Sequence, residues 1–202
     1  MSLLLPARVL PALMLVVLML PALLLLSPLA RADYQSGLDA YNRGDYRTAL
    51  HDWQAAITRP PPVTHPAIYA EAHYAIGMLY WMGYGVEENR FEASDWLHRA
   101  AELGHAGAQA KLGYFYTEGI TVQQNYAQAF QWLSKAAKQG NIDGQYNLGI
   151  FYLYGRGVGQ NNTMAARYLA AASAQGDESA EQLLQSLLPL PAQQRKTVSA
   201  PP

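Results

Sequence analysis

The chain repeats itself every 36 residues, and that period limits its fold more than any other property of the sequence. "IGMLYWMGYGV" begins at Ile76, "LGYFYTEGITV" at Leu112 and "LGIFYLYGRGV" at Leu148. Gly77, Gly113 and Gly149 align, as do Tyr80, Tyr116 and Tyr152, then Gly83, Gly119 and Gly155. Val86, Val122 and Val158 follow, with Asn89, Asn125 and Asn161 behind them. The register continues through Ala93, Ala129 and Ala165, through Trp96, Trp132 and Tyr168, and ends at Gly104, Gly140 and Gly176. No insertion is needed, which excludes chance similarity.

Each unit reads as two helices. Ala72, Ile76 and Tyr80 share one helical face, as do Ala108, Leu112 and Tyr116. The second half has the same period in Ala93, Trp96, Leu97 and Ala100, and in Ala129, Trp132, Leu133 and Ala136. A glycine inside the first helix costs about 1 kcal/mol relative to alanine. Three such glycines predict a neighbouring helix too close for a Cβ. The Gly-x-Gly-Val segment predicts a left-handed turn between the helices, and the glycine closing each unit caps the second helix.

Gly155-Arg156-Gly157-Val158-Gly159 has the look of a phosphate cradle, but it is the third copy of this turn. Phosphate loops need a strand before them and a helix after. An aromatic helical run precedes this one, the Lys-Ser/Thr of a P-loop is missing, and Thr121 replaces the middle glycine in the second copy. The segment is therefore expected to bind no nucleotide, with Arg156 a solvated turn residue.

The pattern A-x-x-x-L-G-x-x-Y-x-x-G-x-G-V, then A-x-x-W-L-x-x-A-A-x-x-G, resembles the Sel1-like repeat, a relative of the tetratricopeptide repeat, from Ala70 to Ser179. The third unit departs modestly, with Tyr168 for Trp and Ser173 for the second Ala. The resemblance implies an all-α fold, a right-handed α-solenoid of helix-turn-helix repeats whose first helices line a concave surface. Residues 33–58 resemble a tetratricopeptide-like opening pair found in exported bacterial members, with Gly44-Asp45-Tyr46 and Ala49 at its turn. Residues 59–66 read as a Pro-rich linker and 67–188 as the repeat domain, with units at about 70–105, 106–141 and 142–177. A capping helix follows, with Asp177 near its N-cap, and 189–202 read as a disordered tail.

Upstream, Arg8 precedes the apolar run Val9 to Leu26, and Ala30-Arg31-Ala32 supplies small residues two apart. This reads as a signal peptide, residues 1–32, cut after Ala32, and so as a periplasmic or secreted protein. An uncleaved anchor is the rival, since the run nears the roughly 20 residues needed to span a bilayer. Cleavage takes Arg8 and Arg31 from 14 basic side chains and leaves 12 against 15 acidic ones. A chain with that balance has no basic field, so no nucleic-acid partner is expected, and no membrane contact after cleavage. The chain has no cysteine, which excludes thiol catalysis and Cys-ligated metal, and a monomer is expected.

Positions six and three before the repeat glycine, and one and four after it, share a helical face. By analogy with tetratricopeptide units that face points into the groove. It holds Glu71, Tyr74, Met78 and Trp81, then Gly107, Ala110, Tyr114 and Thr117, then Asp143, Tyr146, Ile150 and Leu153. Tyr74, Met78, Trp81, Tyr114, Tyr146 and Ile150 are the candidate partner-binding residues, because aromatic and Met side chains are enriched in protein-binding patches. The structural alternative for each is packing against a neighbouring unit. His51, His65, His73, His98 and His105 show no metal-ligand spacing, and His105 replaces Asn141 and Asp177 as a polar cap or turn residue. No catalytic residue, metal or cofactor is expected.

The resemblance implies a non-catalytic scaffold or regulator of the bacterial cell envelope that binds a protein or peptide partner. A polysaccharide-export or secretion adaptor is the alternative. Family analogy alone suggests a β-lactam or cell-wall hydrolase, and the cysteine-rich branch behind that suggestion does not match a chain without cysteine.

Overall fold

The computed structural model describes residues 31–58 and 66–187. The apolar leader up to residue 30, the linker residues 59–65 and the tail from residue 188 lie outside the described residues. The described chain is helical, with no strand: α1 (31–42), α2 (Tyr46–Thr58), α3 (Pro66–Met82), α4 (Arg90–Glu102), α5 (Ala106–Glu118), α6 (Tyr126–Lys138), α7 (Ile142–Tyr154), α8 (Asn162–Ser173) and α9 (Glu178–Leu187). Arg31 and Ala32 stand at the beginning of the described part of α1. The helices fall into two compact units, the first ending at His105 and the second beginning at Ala106.

In the first unit α1 and α2 form a hairpin. Its turn is set by Gly44, at φ 79°, and by Asp45, whose Oδ1 accepts from the Thr48 N–H at 3.2 Å. Trp53 is the centre of this hairpin, 2% exposed, and its indole N–H donates to the Tyr34 carbonyl at 3.2 Å. A Cβ on Gly37 would come within 2.5 Å of that ring, so the glycine admits the tryptophan. Trp53, Ala40 and Ala49 share one core with Ala72, Ile76 and Leu79 of α3, which joins the opening hairpin to the first repeat.

The repeat glycines lie at helix crossings, as their cost in a helix suggests. A Cβ on Gly77 would stand 2.9 Å from Leu97 Cγ, and one on Gly149 would stand 2.8 Å from Leu169 Cγ. At Gly113 the approach is tighter, 2.5 Å to Leu133 Cγ. Each of these leucines is fully buried, a contribution of about 1.5–3 kcal/mol apiece. Both helices of a pair therefore supply the contact, one by removing a side chain and the other by filling the space.

Within the second unit, α6 and α7 share a core of Ala129, Leu133, Leu148 and Phe151. The last helix, α9, closes this unit by placing Ala180 against Leu169 and Ala172. Asp177 starts α9, its Oδ1 accepting from the Ala180 N–H at 2.9 Å.

Candidate functional site

The turn between paired helices is built the same way in each repeat. The residue after the first turn glycine donates its N–H back to the first helix: Tyr84 to the Leu79 carbonyl, Ile120 to Phe115 and Arg156 to Phe151, each at 3.0 Å. Asn89, Asn125 and Asn161 then donate to the Tyr80, Tyr116 and Tyr152 carbonyls at 3.0, 2.8 and 2.8 Å. The same asparagine side chains cap the second helices, accepting from the N–H groups of Glu92, Gln128 and Met164. The N–H groups of Gly155 and Arg156 in the Gly155–Gly159 segment, and of Asn161 just beyond it, are therefore turned to carbonyls of α7. A phosphate cradle needs such groups facing outward. This loop uses them to close its own turn.

The middle glycine of the turn has a separate reason. A Cβ on Gly85 would come 2.8 Å from Tyr46 Cβ, and one on Gly157 would fall on the Tyr126 carbonyl oxygen. The turn thus presses on the first residue of an earlier second helix, α2 in one case and α6 in the other. Thr121 takes the equivalent place in the second repeat at φ 61°, a left-handed conformation unusual for a β-branched residue.

The candidate face divides between packing and exposure. On α3, Tyr74 is half-buried and stacks on His105, centroids 4.1 Å apart with planes at 19°. His105 holds the expected turn position before α5, and its Nε2 also lies 3.3 Å from Glu71 Oε2, which makes a Glu71–His105–Tyr74 cluster. Met78 is half-buried, as is Trp81, over which the Arg90 guanidinium lies at 5.3 Å. On α5 and α7, Tyr114 is exposed at 42%, while Ile150 is half-buried. Tyr146 is half-buried against the cluster of Leu169, Ala172 and Ala180. Ala110, Thr117 and Leu153 of the same face are buried, and the Thr117 hydroxyl donates to the Gly113 carbonyl at 2.8 Å.

Other aromatic side chains open to solvent lie at the turns. Tyr84, Phe91, Tyr126 and Tyr154 are exposed at 40, 71, 37 and 63%. Tyr84 lies in the turn itself, and Phe91, Tyr126 and Tyr154 lie in the first or last turn of their helices, where periodicity gives little sign of an exposed ring. The second helices carry a different recurring contact, with Arg99 over the Trp96 ring at 4.7 Å and Lys135 over Trp132 at 4.0 Å.

Side-chain amides bind the helix ends in the second and third repeats. Gln139 Nε2 donates to Gln109 Oε1, and Gln175 Nε2 to Gln145 Oε1, both at 2.8 Å. Gln124 and Gln160 donate to the carbonyls of Thr117 and Leu153 at 2.7 and 2.9 Å. The first repeat has His73, Leu103 and Glu88 at these positions. Glu88 instead accepts from Arg90 Nε at 2.9 Å. His73 Nδ1 is buried without a hydrogen-bond partner, and the His73 ring stacks on Trp96, centroids 5.4 Å apart. Burial holds the His73 imidazole below its ordinary range, and the Arg99 charge adds to the effect. Among the described residues no group of three or more His, Asp or Glu could hold a metal ion, and no helix is long and apolar enough to cross a membrane.

The Sel1 repeat pattern matches residues 70–105, 106–141 and 142–177, more than half of the 202-residue chain. The chain belongs to the Sel1 repeat family. Several solved Sel1 repeat structures are similar to it. A Sel1 repeat protein from Oxalobacter formigenes is 34% identical, covering 68% of this chain and 97% of its own, with a TM-score of 0.60. A protective antigen present in uropathogenic Escherichia coli, with the same repeat fold, is 25% identical at a TM-score of 0.68. That match takes in 85% of this chain and 35% of the antigen. Helicobacter pylori cysteine-rich protein B is 26% identical at a TM-score of 0.50, covering 67% of this chain and 96% of its own. No curated protein matches the chain. Like these Sel1 proteins it is an all-α solenoid of helix-turn-helix repeats. It has no cysteine, so its glycine–leucine crossings and helix-end hydrogen bonds hold the repeats without disulfides.

Proposed function

We propose that this chain is a non-catalytic scaffold or regulator of the bacterial cell envelope, and that it binds a protein or peptide through the faces of its first helices. Sel1 repeat proteins act generally as protein-interaction scaffolds. The observation that carries the reading is the character of those faces. Tyr114 is open to solvent, and Trp81, Met78 and Ile150 are each only half-buried. Side chains of this kind lose little on exposure and gain much when a partner covers them. The envelope assignment rests on the Arg8-to-Ala32 segment, which has the charged start, apolar stretch and small-residue end of an export signal.

The test is capture of partners from an envelope extract by the immobilised protein, followed by measured affinity for whatever is captured. Trp81→Ala with Tyr114→Ala should weaken binding at least tenfold, since loss of an aromatic anchor costs about 2 kcal/mol or more. Arg99→Ala, on the exposed side of α4, serves as the control and should bind normally. Unaltered binding by the folded double variant would place the partner elsewhere.

A further inference from the structure

The turn after α7 holds a cation whose side-chain contacts are to two tyrosine rings. Arg156 lies over the rings of Tyr126 and Tyr154, its guanidinium carbon 5.7 and 5.6 Å from their centroids. No carboxylate among the described residues pairs with it. Arg90, by contrast, is neutralised by Glu88. Tyr126 and Tyr154 are both exposed, so the two rings and the charge between them form one accessible surface.

This arrangement is held in place from several sides. The Arg156 N–H is bonded to the Phe151 carbonyl, and Gly157 rests against the backbone of Tyr126. Gln124 Nε2 donates to the Tyr126 hydroxyl at 3.2 Å, and the ring meets Phe151 edge-on at 6.0 Å. A guanidinium presented by a fixed turn loses less freedom on binding than one on a mobile chain. Structural need does not account for the charge. The equivalent residue in the first repeat is Tyr84, which stacks on Tyr46 at 4.7 Å, and in the second repeat it is Ile120. An uncharged side chain therefore satisfies the turn.

We propose that Arg156, with Tyr126 and Tyr154, is a docking point for a carboxylate side chain in an acidic peptide segment of the partner. A guanidinium lying over aromatic faces keeps its N–H edges free, and a carboxylate matches them with two parallel hydrogen bonds. An exposed arginine–carboxylate pair alone contributes little in water. The two rings add the apolar surface that covers the peptide beside its charge. The identity of the occupant as a peptide rests on the scaffold reading, whereas the anion preference rests on Arg156 itself.

The experiment titrates N-acetyl-Glu-Leu-Glu-amide into the isotope-labelled full chain and follows the Arg156 Nε–Hε signal and the Gly155 and Gly157 amides by NMR. A saturable shift is expected, at least tenfold weaker for N-acetyl-Gln-Leu-Gln-amide and reduced by 0.5 M salt. Arg156→Tyr copies the residue that Tyr84 supplies in the first repeat, so it should melt like the parent while losing the shift. Equal response to the uncharged peptide, an unchanged response in Arg156→Tyr, or the same saturation with sodium acetate would each overturn the proposal. If a captured partner binds Arg156→Tyr normally but loses the Trp81→Ala, Tyr114→Ala variant, the scaffold reading stands and the arginine site falls.

Discussion

Gln175 reaches from the end of one repeat to Gln145 near its start, its Nε2 donating to the Gln145 Oε1 at 2.8 Å and to the Gly140 carbonyl at 3.0 Å. Gln139 and Gln109 repeat the bond one unit earlier, and the first repeat breaks it with Leu103 and His73. The broken pair leaves His73 Nδ1 buried and unsatisfied, a condition that costs stability. Leu103→Gln with His73→Gln should rebuild the bond. The expected gain is about 1 kcal/mol, or roughly 2–4 °C in melting temperature. A double variant that melts no higher than the parent would show that the amide bridge adds nothing in this repeat.

His73 also sets a pH dependence. Its imidazole, held below the ordinary value of 6.5 by burial and by Arg99, takes a proton less readily folded than unfolded. Stability from the neutral ring is therefore complete above about pH 6.5 and declines as pH falls toward the depressed folded value. Chemical denaturation at pH 7.5 and pH 5.5 should show a larger loss for the parent than for His73→Gln. The comparison cancels the other histidines, which both proteins share. Identical losses would mean that His73 protonates freely in the folded state.

At the α5–α6 crossing, Gly113→Ala gains about 1 kcal/mol of helix propensity but drives a methyl group into Leu133. Overpacking of this kind costs about 1–3 kcal/mol, and the tight 2.5 Å approach favours the loss. Leu133→Ala alone should cost about 2–5 kcal/mol. Together the two should cost clearly less than their sum, because the smaller residue at 133 makes room for the methyl group. Strict additivity in equilibrium unfolding would contradict the crossing.

Thr121 holds a left-handed backbone that its neighbours assign to glycine. That conformation costs an L side chain about 1–2 kcal/mol. Thr121→Gly should raise stability by about 1 kcal/mol after allowing for the added freedom of glycine in the unfolded chain. Gly157→Ala should do the reverse, since its methyl would meet the Tyr126 carbonyl. A thermal melt of both variants checks the pair, and a destabilised Thr121→Gly would show that the threonine side chain matters more than the backbone angle.

The crossings were legible because one residue type alone permits them. Gly77, Gly113 and Gly149 stand where a buried leucine side chain of the paired helix takes the space of a Cβ, and no other residue substitutes without cost. The turns were legible for a similar reason, through Gly83, Gly119 and Gly155. The glutamine bridges were not, because Gln109 and Gln139 are common residues whose pairing depends on two helix ends meeting thirty positions apart. Helical periodicity placed Tyr74, Tyr114 and Tyr146 on one face of their helices, Tyr74 and Tyr146 three residues before the repeat glycine and Tyr114 one after it. It could not say that His105 stacks on the first, or that the cluster around Ala180 takes the third, while the second stays open. What covers a flanking position depends on residues outside its own helix.

The glycine–leucine crossing also governs how a chain of this kind can change length. One extra residue between Ala108 and Gly113 would rotate the glycine by about 100° relative to the start of α5, because a helix turns once every 3.6 residues. The contact with Leu133 would be lost on one side of the insertion or the other. Adding or removing a whole 36-residue unit leaves each internal glycine opposite its own leucine. Viable lengths are therefore spaced in quanta of one repeat.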